Sequence, residues 1–230
     1  MGSLTALLLA TPIFGFSLQA PAVTASLDLS AKAAFELRAT DAAGGGSGGG
    51  SQSEYVQQIK SRNNIASIHR TMGIATWSAM TLTVAAGVMS YYNLYGFGAD
   101  QASNPCVQGT AIFGDGGCSS MRTVHAVAAG VTTALYATTF TLALLMPDPD
   151  KLSEGKGDFA STLRLHKALR WVHFGGMLAQ AAIGIIIANG LLGLDRANHY
   201  ETLQALATVH LGVGIVTWGA LTWAGSLMVF

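Results

Sequence analysis

Four long apolar segments occupy most of this chain, and shorter polar stretches separate them. The segments span residues 65–92, 121–146, 163–192 and 203–230. Each exceeds the roughly 20 residues that an α-helix needs to cross a hydrocarbon core of about 30 Å. Lipid offers no hydrogen-bond partners, so each segment must satisfy its backbone groups internally, as a helix. With short connections between antiparallel neighbours, the pattern predicts an all-α fold, a transmembrane four-helix bundle.

The composition agrees with a membrane protein. Half of the 230 residues are apolar and 10% are charged, which leaves too little polar surface for a soluble globule of this size. A soluble helical bundle would need polar helix faces that these segments lack. Twelve basic and twelve acidic side chains give a formal net charge of zero, so no nucleic-acid partner is expected. The expected partner is membrane lipid.

The residues before the first segment divide into two parts. Residues 1–25 end in a small-x-small pattern typical of a signal-peptidase site, but no Lys or Arg precedes it. They fit a cleaved signal peptide, an extra membrane helix broken by Pro12, or a peripheral tail. Residues 26–63 include the Gly-Gly-Gly-Ser repeat of residues 44–51 and are predicted to be a flexible tail or linker. The four-helix domain then covers residues 64–230.

Each segment carries a histidine near its start, and the four form a repeated pattern. His69 and His166 are each followed by a basic residue and, eighteen positions later, by a glycine, Gly87 or Gly184. The second and fourth segments share Thr-Val-His at residues 123–125 and 208–210. The first two helices therefore look like a degenerate copy of the last two, a two-fold internal pseudo-repeat.

Helix direction decides which histidines can meet. Successive helices run in opposite directions, so His69 and His166 share one membrane face while His125 and His210 share the other. Two imidazoles facing each other from parallel helices are what bis-histidine ligation of haem b requires. Four candidate metal ligands thus predict two haems b. Eighteen residues at about 1.5 Å each place Gly87 and Gly184 roughly 27 Å along their helices, beside the opposite pair, where a missing side chain lets a porphyrin approach the backbone.

Basic residues near each pair are candidates to neutralise haem propionates. At the first pair these are Arg70, Arg164, Lys167 and Arg170, and at the second pair Arg122.

His173 is an additional histidine, about 10.5 Å deeper than His166 on the same helix face. Two assignments stay open. The repeat favours His166 as the ligand, but His173 can replace it, with His166 then serving a propionate or a substrate. A histidine left unpaired also motivates the hypothesis of a quinol-oxidising site beside His173. His199 lies in a polar loop and is expected to be a solvated surface residue.

The four-histidine pattern, Leu165-His166 and the paired Thr-Val-His motifs resemble the cytochrome b561 family and its bacterial relatives over roughly residues 65–230. The resemblance implies four core helices with one haem-ligating histidine each, paired first with third and second with fourth. It also implies electron transfer between a donor on one membrane face and an acceptor on the other. The chain departs from the family in its long cysteine-bearing loop, in His173, and in having no recognisable ascorbate site or attached redox domain.

Two clues bear on orientation and disagree. The face holding the start of the first helix and the second-to-third loop has eight basic residues against two on the other, which makes it cytoplasmic by the positive-inside rule. That rule places loop 93–120 outside, on the periplasmic side of a bacterial inner membrane, where Cys106 and Cys118 can form one bridge. A cleaved signal peptide would invert the orientation.

The sequence thus predicts a membrane cytochrome b, either an independent oxidoreductase or the membrane subunit of a larger redox complex, with a redox protein or quinol as partner. The alternative is a non-haem integral membrane protein, a metal-ion carrier or an assembly subunit. The lack of Asp and Glu inside the segments argues against a cation path.

Overall fold

The computed structural model describes the backbone of residues 49–229 and the side chains of residues 51–228. Five α-helices occur in this part, namely α1 (Gly49–Tyr95), α2 (Pro105–Gln108), α3 (Gly117–Leu145), α4 (Asp158–Asn189) and α5 (Tyr200–Val229). No strand is found between residues 49 and 229. The four long helices, α1, α3, α4 and α5, are each long and apolar enough to cross a membrane. The predicted all-α transmembrane bundle is therefore confirmed.

The first helix begins sixteen residues earlier than the apolar pattern predicts, at Gly49 instead of residue 65. Residues 49–63 are consequently helical, although they were expected to belong to the flexible tail. This stretch contains three Gln residues and one each of Glu, Lys and Arg, all of which tolerate a helix well. The remainder of that tail and the three interpretations of residues 1–25 lie outside the described residues.

Hydrogen bonds and one close contact link the long helices as a ring in the order α1, α3, α4, α5. The contacts that define the ring are Thr76 to Thr139 (2.9 Å) for α1 and α3, Tyr136 to His173 (2.8 Å) for α3 and α4, Gly176 against Thr217 for α4 and α5, and Trp77 to Thr222 (3.0 Å) for α1 and α5. In such a ring α1 and α4 stand diagonally opposite and run parallel, and so do α3 and α5.

The outer surface of the ring is apolar. Large hydrophobic side chains on the long helices are exposed, among them Leu82, Val127, Leu178, Ile185 and Val216. A soluble protein would rarely leave so much apolar surface in water. Lipid accounts for it, in agreement with a multi-pass membrane protein.

The loop between α1 and α3 is held by a disulfide and by one asparagine. Cys106 and Cys118 are bonded, with Cα atoms 5.9 Å apart. Asn93, which is fully buried, donates to the carbonyls of Ile112 and Gly117 and accepts from the Ile112 amide at 2.7 Å. The loop is thus fastened to the end of α1.

The loop between α3 and α4 is fastened by a carboxylate. Asp148 pairs with Arg62 of α1 at 3.0 Å and with Lys167 of α4 at 3.1 Å. Partial burial disfavours the charged carboxylate, but the Leu152 amide and these two cations outweigh it and hold the pKa of Asp148 below its usual value. One charged group therefore ties the two parallel helices together at this face.

Candidate functional site

The four predicted histidines form two pairs across the diagonals of the ring. The ring centres of His69 on α1 and His166 on α4 lie 6.4 Å apart, with planes at 87°. The ring centres of His125 on α3 and His210 on α5 lie 6.0 Å apart, with planes at 89°. We call these the first and second histidine pairs. The structure thus brings together the residues that the sequence paired.

Backbone carbonyls of neighbouring helices orient three of the four rings through Nδ1. His69 bonds the carbonyl of Thr139 at 3.0 Å, and His166 bonds that of Ala224 at 2.8 Å. His125 bonds the carbonyl of Thr83 at 3.0 Å. A carbonyl oxygen only accepts, so Nδ1 must carry the proton in each ring and, in the neutral tautomer, Nε2 keeps its lone pair. These three imidazoles are therefore prepared to bind a metal through Nε2.

These bonds repeat with the spacing of the sequence pattern. His166 follows His69 by 97 positions, as Gly184 follows Gly87. His210 follows His125 by 85 positions, as Ala224 follows Thr139. The acceptors of the first pair are thus equivalent positions in the two halves of the chain, and the pseudo-repeat extends to the hydrogen bonds that hold the rings.

Two glycines lie directly against the second histidine pair, as the eighteen-residue spacing predicts. A Cβ added at Gly87 would lie 2.9 Å from Cε1 of His125, and one at Gly184 would lie 3.2 Å from Cε1 of His210. Real Cβ atoms hardly ever approach other atoms so closely. Both helices therefore need glycine where the second pair is seated, whatever the pair binds.

The spacing of the rings matches that of two imidazoles on opposite sides of one metal. A metal–nitrogen bond is about 2 Å, and the centre of an imidazole lies roughly 1 Å behind its nitrogen, so the ring centres should be about 6 Å apart. Both pairs meet this value. A metal held by one pair would have two protein ligands and would need a further group for its other positions. A flat macrocycle with four nitrogens is a group that fits this donor set.

His173 is not part of either pair. Its Nδ1 lies 2.8 Å from the hydroxyl of Tyr136, and both side chains are buried. It follows Thr76 by 97 positions, so it takes the place of a residue that hydrogen-bonds between helices in the first half and not the place of His69. The unpaired histidine that motivated a quinol site beside His173 is therefore paired, with Tyr136.

The basic side chains near the first pair differ in their contacts. Lys167 is bound to Asp148 and to the Ser153 hydroxyl, at 2.8 Å from the latter. Arg164 donates to two loop carbonyls, and Arg70 is exposed. Arg170 is different, because its Nε is buried without a hydrogen-bond partner, while its guanidinium carbon lies 5.1 Å from the centre of the Trp171 ring. Among these candidates, Arg170 has a donor still to be satisfied.

The opposite face carries fewer charges. Arg122, the basic candidate there, is exposed. A polar cavity of about 550 Å³ opens between the two loops of this face, with Asp100, His199 and Glu201 in its lining. His199 lies 3.3 Å from the carboxylate of Asp195, whose pKa is lowered chiefly by hydrogen bonds from Asn198. His199 is a surface histidine, as expected.

Sequence reasoning missed the residues that orient the rings. Thr139 and Ala224 act through backbone carbonyls, which carry no side-chain signal. Tyr136 appears in the sequence as one more aromatic residue in an apolar run. Gln180 was open to detection, since an amide in the middle of an apolar helix is costly to leave unpaired and indicates a partner. Its Nε2 donates to the carbonyl of His210 at 2.6 Å.

Comparisons of the chain with protein-family models, with curated proteins and with solved structures each found no match. The site is consequently interpreted from its own geometry.

Proposed function

We propose that this protein transfers electrons across a membrane through two b-type haems, one held by His69 and His166 and the other by His125 and His210. The observation that carries the proposal is the presence of two diagonal histidine pairs with ring centres 6.4 and 6.0 Å apart. The carbonyl-bonded Nδ1 atoms and the close glycines support it.

Haem, when bound, would supply a one-electron couple, and the two histidines of each pair would hold it. The residues of the chain hold that arrangement. The Thr139 and Ala224 carbonyls fix the tautomer and the direction of the first pair, and Gly87 and Gly184 keep the space beside the second pair open.

Arg170, with its unsatisfied Nε, is the proposed propionate partner at the first pair. Lys167, Arg70 and, at the second pair, Arg122 remain weaker candidates.

The two sites belong to opposite halves of the membrane. Each of α1 and α4 carries a histidine of the first pair and, eighteen residues or about 27 Å further on, a glycine beside the second pair. This separation along the membrane normal is what supports transfer between a donor on one face and an acceptor on the other. A redox protein or a quinol is the class of partner we propose, with this chain acting alone or as a subunit of a larger complex.

For orientation we propose that the face with Asp148 is cytoplasmic and that loop 93–120 is on the outer, periplasmic face of a bacterial inner membrane. The excess of basic residues supports the first part. The bond between Cys106 and Cys118 supports the second, because disulfides persist in oxidising compartments.

The test is a dithionite-reduced minus oxidised visible spectrum of the detergent-purified full chain, with haem per chain measured as the pyridine haemochrome. We expect a b-type spectrum and about two haems per chain. The variants His125→Ala and His69→Ala should each retain about one haem, whereas His199→Ala, the solvated-histidine control, should retain both. A folded, membrane-inserted protein without haem, in cells supplied with haem, would refute the proposal.

A further inference from the structure

The two halves of the repeat differ in how they hold the histidines of the second pair. His69, His166 and His125 each bond a backbone carbonyl through Nδ1, but the Nδ1 of His210 is buried and has no partner. By the 97-residue spacing, the carbonyl of Gln180 corresponds to that of Thr83, which holds His125. The second pair therefore has one anchored and one unanchored imidazole, while the first pair has two anchored ones.

The two halves also differ in the side chain at this position, which is Thr83 in the first half and Gln180 in the second. In the first half, the Thr83 hydroxyl lies 2.8 Å from that of Thr132, a small polar contact between α1 and α3. In the second half, the hydroxyl of the equivalent Thr217 donates to the Val213 carbonyl, and the longer Gln180 donates to the carbonyl of His210 at 2.6 Å. Gln180 is thus bonded to the backbone of the residue whose ring lacks an acceptor.

An acceptor on the distal nitrogen changes what a ligating imidazole does to its metal. An Nδ1–H bonded to a carbonyl makes Nε2 more basic. A more basic ligand stabilises the ferric state more than the ferrous state and so lowers the reduction potential, one of the controls that a protein exerts on haem. An imidazole without this bond leaves the potential higher.

We propose that Gln180 is a positioning residue that keeps His210 unanchored and thereby makes the second site the one with the higher reduction potential, so that a single electron rests at the His125 and His210 pair. This inference depends on the proposed haem-binding function. It adds a direction, because an electron that enters at the first pair moves downhill to the second.

The first experiment assigns the potentials. Spectroelectrochemical titration of the full chain is compared with that of His69→Ala, which keeps only the second site, and of His125→Ala, which keeps only the first. We expect two resolved midpoints in the intact protein, the higher one matching the haem that remains in His69→Ala. Equal midpoints, or the higher one in His125→Ala, would overturn the inference.

The second experiment exchanges the residues that distinguish the halves. Gln180→Thr recreates the Thr83 arrangement, lets the residue 180 carbonyl accept from His210, and should lower only the higher midpoint. We expect the ratio in which the two haems share an electron to change about tenfold, within the range of effects of such outer hydrogen bonds, or about 59 mV for a one-electron couple. Thr83→Gln should raise the midpoint of the same site.

These outcomes separate two kinds of failure. Absence of haem from the folded protein would refute the proposed function itself. Two bound haems whose midpoints do not respond to Gln180→Thr would leave that function standing and refute the role of Gln180. A purely structural role for Gln180 would change the melting temperature of the variant without moving one midpoint selectively.

Discussion

The imidazoles of His69 and His166 face each other across the bundle with ring centres 6.4 Å apart, although the two residues are separated by 97 positions in the chain. His173, only seven residues after His166, hydrogen-bonds Tyr136 instead. Both histidines lie on α4, so the one that pairs with His69 is decided by its position along that helix.

Replacement of the two histidines on α4, His166 and His173, should affect haem content differently. His166→Ala is expected to reduce about two haems per chain to about one, because it removes one axial ligand. His173→Ala should retain both haems and lower the melting temperature, since a buried Tyr136 hydroxyl without its partner costs about 1–3 kcal/mol. Pyridine haemochrome analysis and thermal unfolding in detergent measure the two effects. Loss of a haem in His173→Ala together with full retention in His166→Ala would make His173 the ligand.

The close glycines should be sensitive to a single methyl group. Gly87→Ala places a Cβ 2.9 Å from the His125 ring and should displace it, so we expect loss of the second haem. Gly184→Ala, at 3.2 Å from His210, should have the smaller effect in the same direction, a broadened or shifted spectrum at reduced occupancy. The control is Gly175→Ala on α4, where nothing lies within 4 Å of the added carbon. Equal haem content in all three variants would show that the glycines do not maintain the site.

Asp148 should make the stability of the loop between α3 and α4 dependent on pH. Its folded pKa is below the unfolded value of about 3.9, so its contribution is present above about pH 4 and is lost as the pH falls through the folded pKa. Asp148→Asn should remove about 1 kcal/mol at neutral pH, a modest figure because the pairs are partly exposed. Melting temperatures of the two proteins should differ at pH 7 and converge in acid.

The exposed ion pair of the same loop provides the control for this prediction. Glu154 lies 3.7 Å from Lys151, and both side chains are about 70% exposed. Glu154→Gln should leave the melting temperature unchanged at either pH, because exposed pairs of this kind contribute little. A decrease in melting temperature as large as that of Asp148→Asn would mean that the amount of negative charge in the loop, and not the ion pairs that connect α1 to α4, stabilises this face.

The disulfide should be accessible from outside the cell and should stabilise the loop. In intact cells or spheroplasts, a membrane-impermeant thiol reagent should label Cys106 and Cys118 only after treatment with an impermeant reductant. Purified Cys106→Ser/Cys118→Ser protein should be less stable by about 3 kcal/mol, the effect of opening a loop of this order of length. Labelling confined to inverted membrane vesicles would reverse the proposed orientation.

Much of the fold follows from the sequence because lipid enforces it. Length and apolar content predict four membrane helices, and their alternating direction assigns His69 to the face of His166. The start of α1 was not predictable from hydropathy, because the helix extends beyond the apolar segment as far as Gly49. This polar extension includes Arg62, whose partner Asp148 is 86 residues away. The partner of His173 and the carbonyls that bond the paired histidines depend on which helices are neighbours and on their rotation, which hydropathy does not determine. The disulfide was left open for the same reason, since a disulfide requires the two Cα atoms to lie within about 7 Å of each other; here they are 5.9 Å apart.

Helices α1 and α4 fix the distance between the two histidine pairs. Each carries a histidine of the first pair and, eighteen residues later, a glycine in contact with the second pair. Inserting one residue between His69 and Gly87 would turn the rest of α1 by about 100° and advance it by about 1.5 Å, which would turn Gly87 away from His125 while leaving His69 in place. The segments between these residues therefore cannot change length, whereas the connecting loops can. In this protein the spacing within a helix, and not the length of a loop, sets the distance between the two histidine pairs.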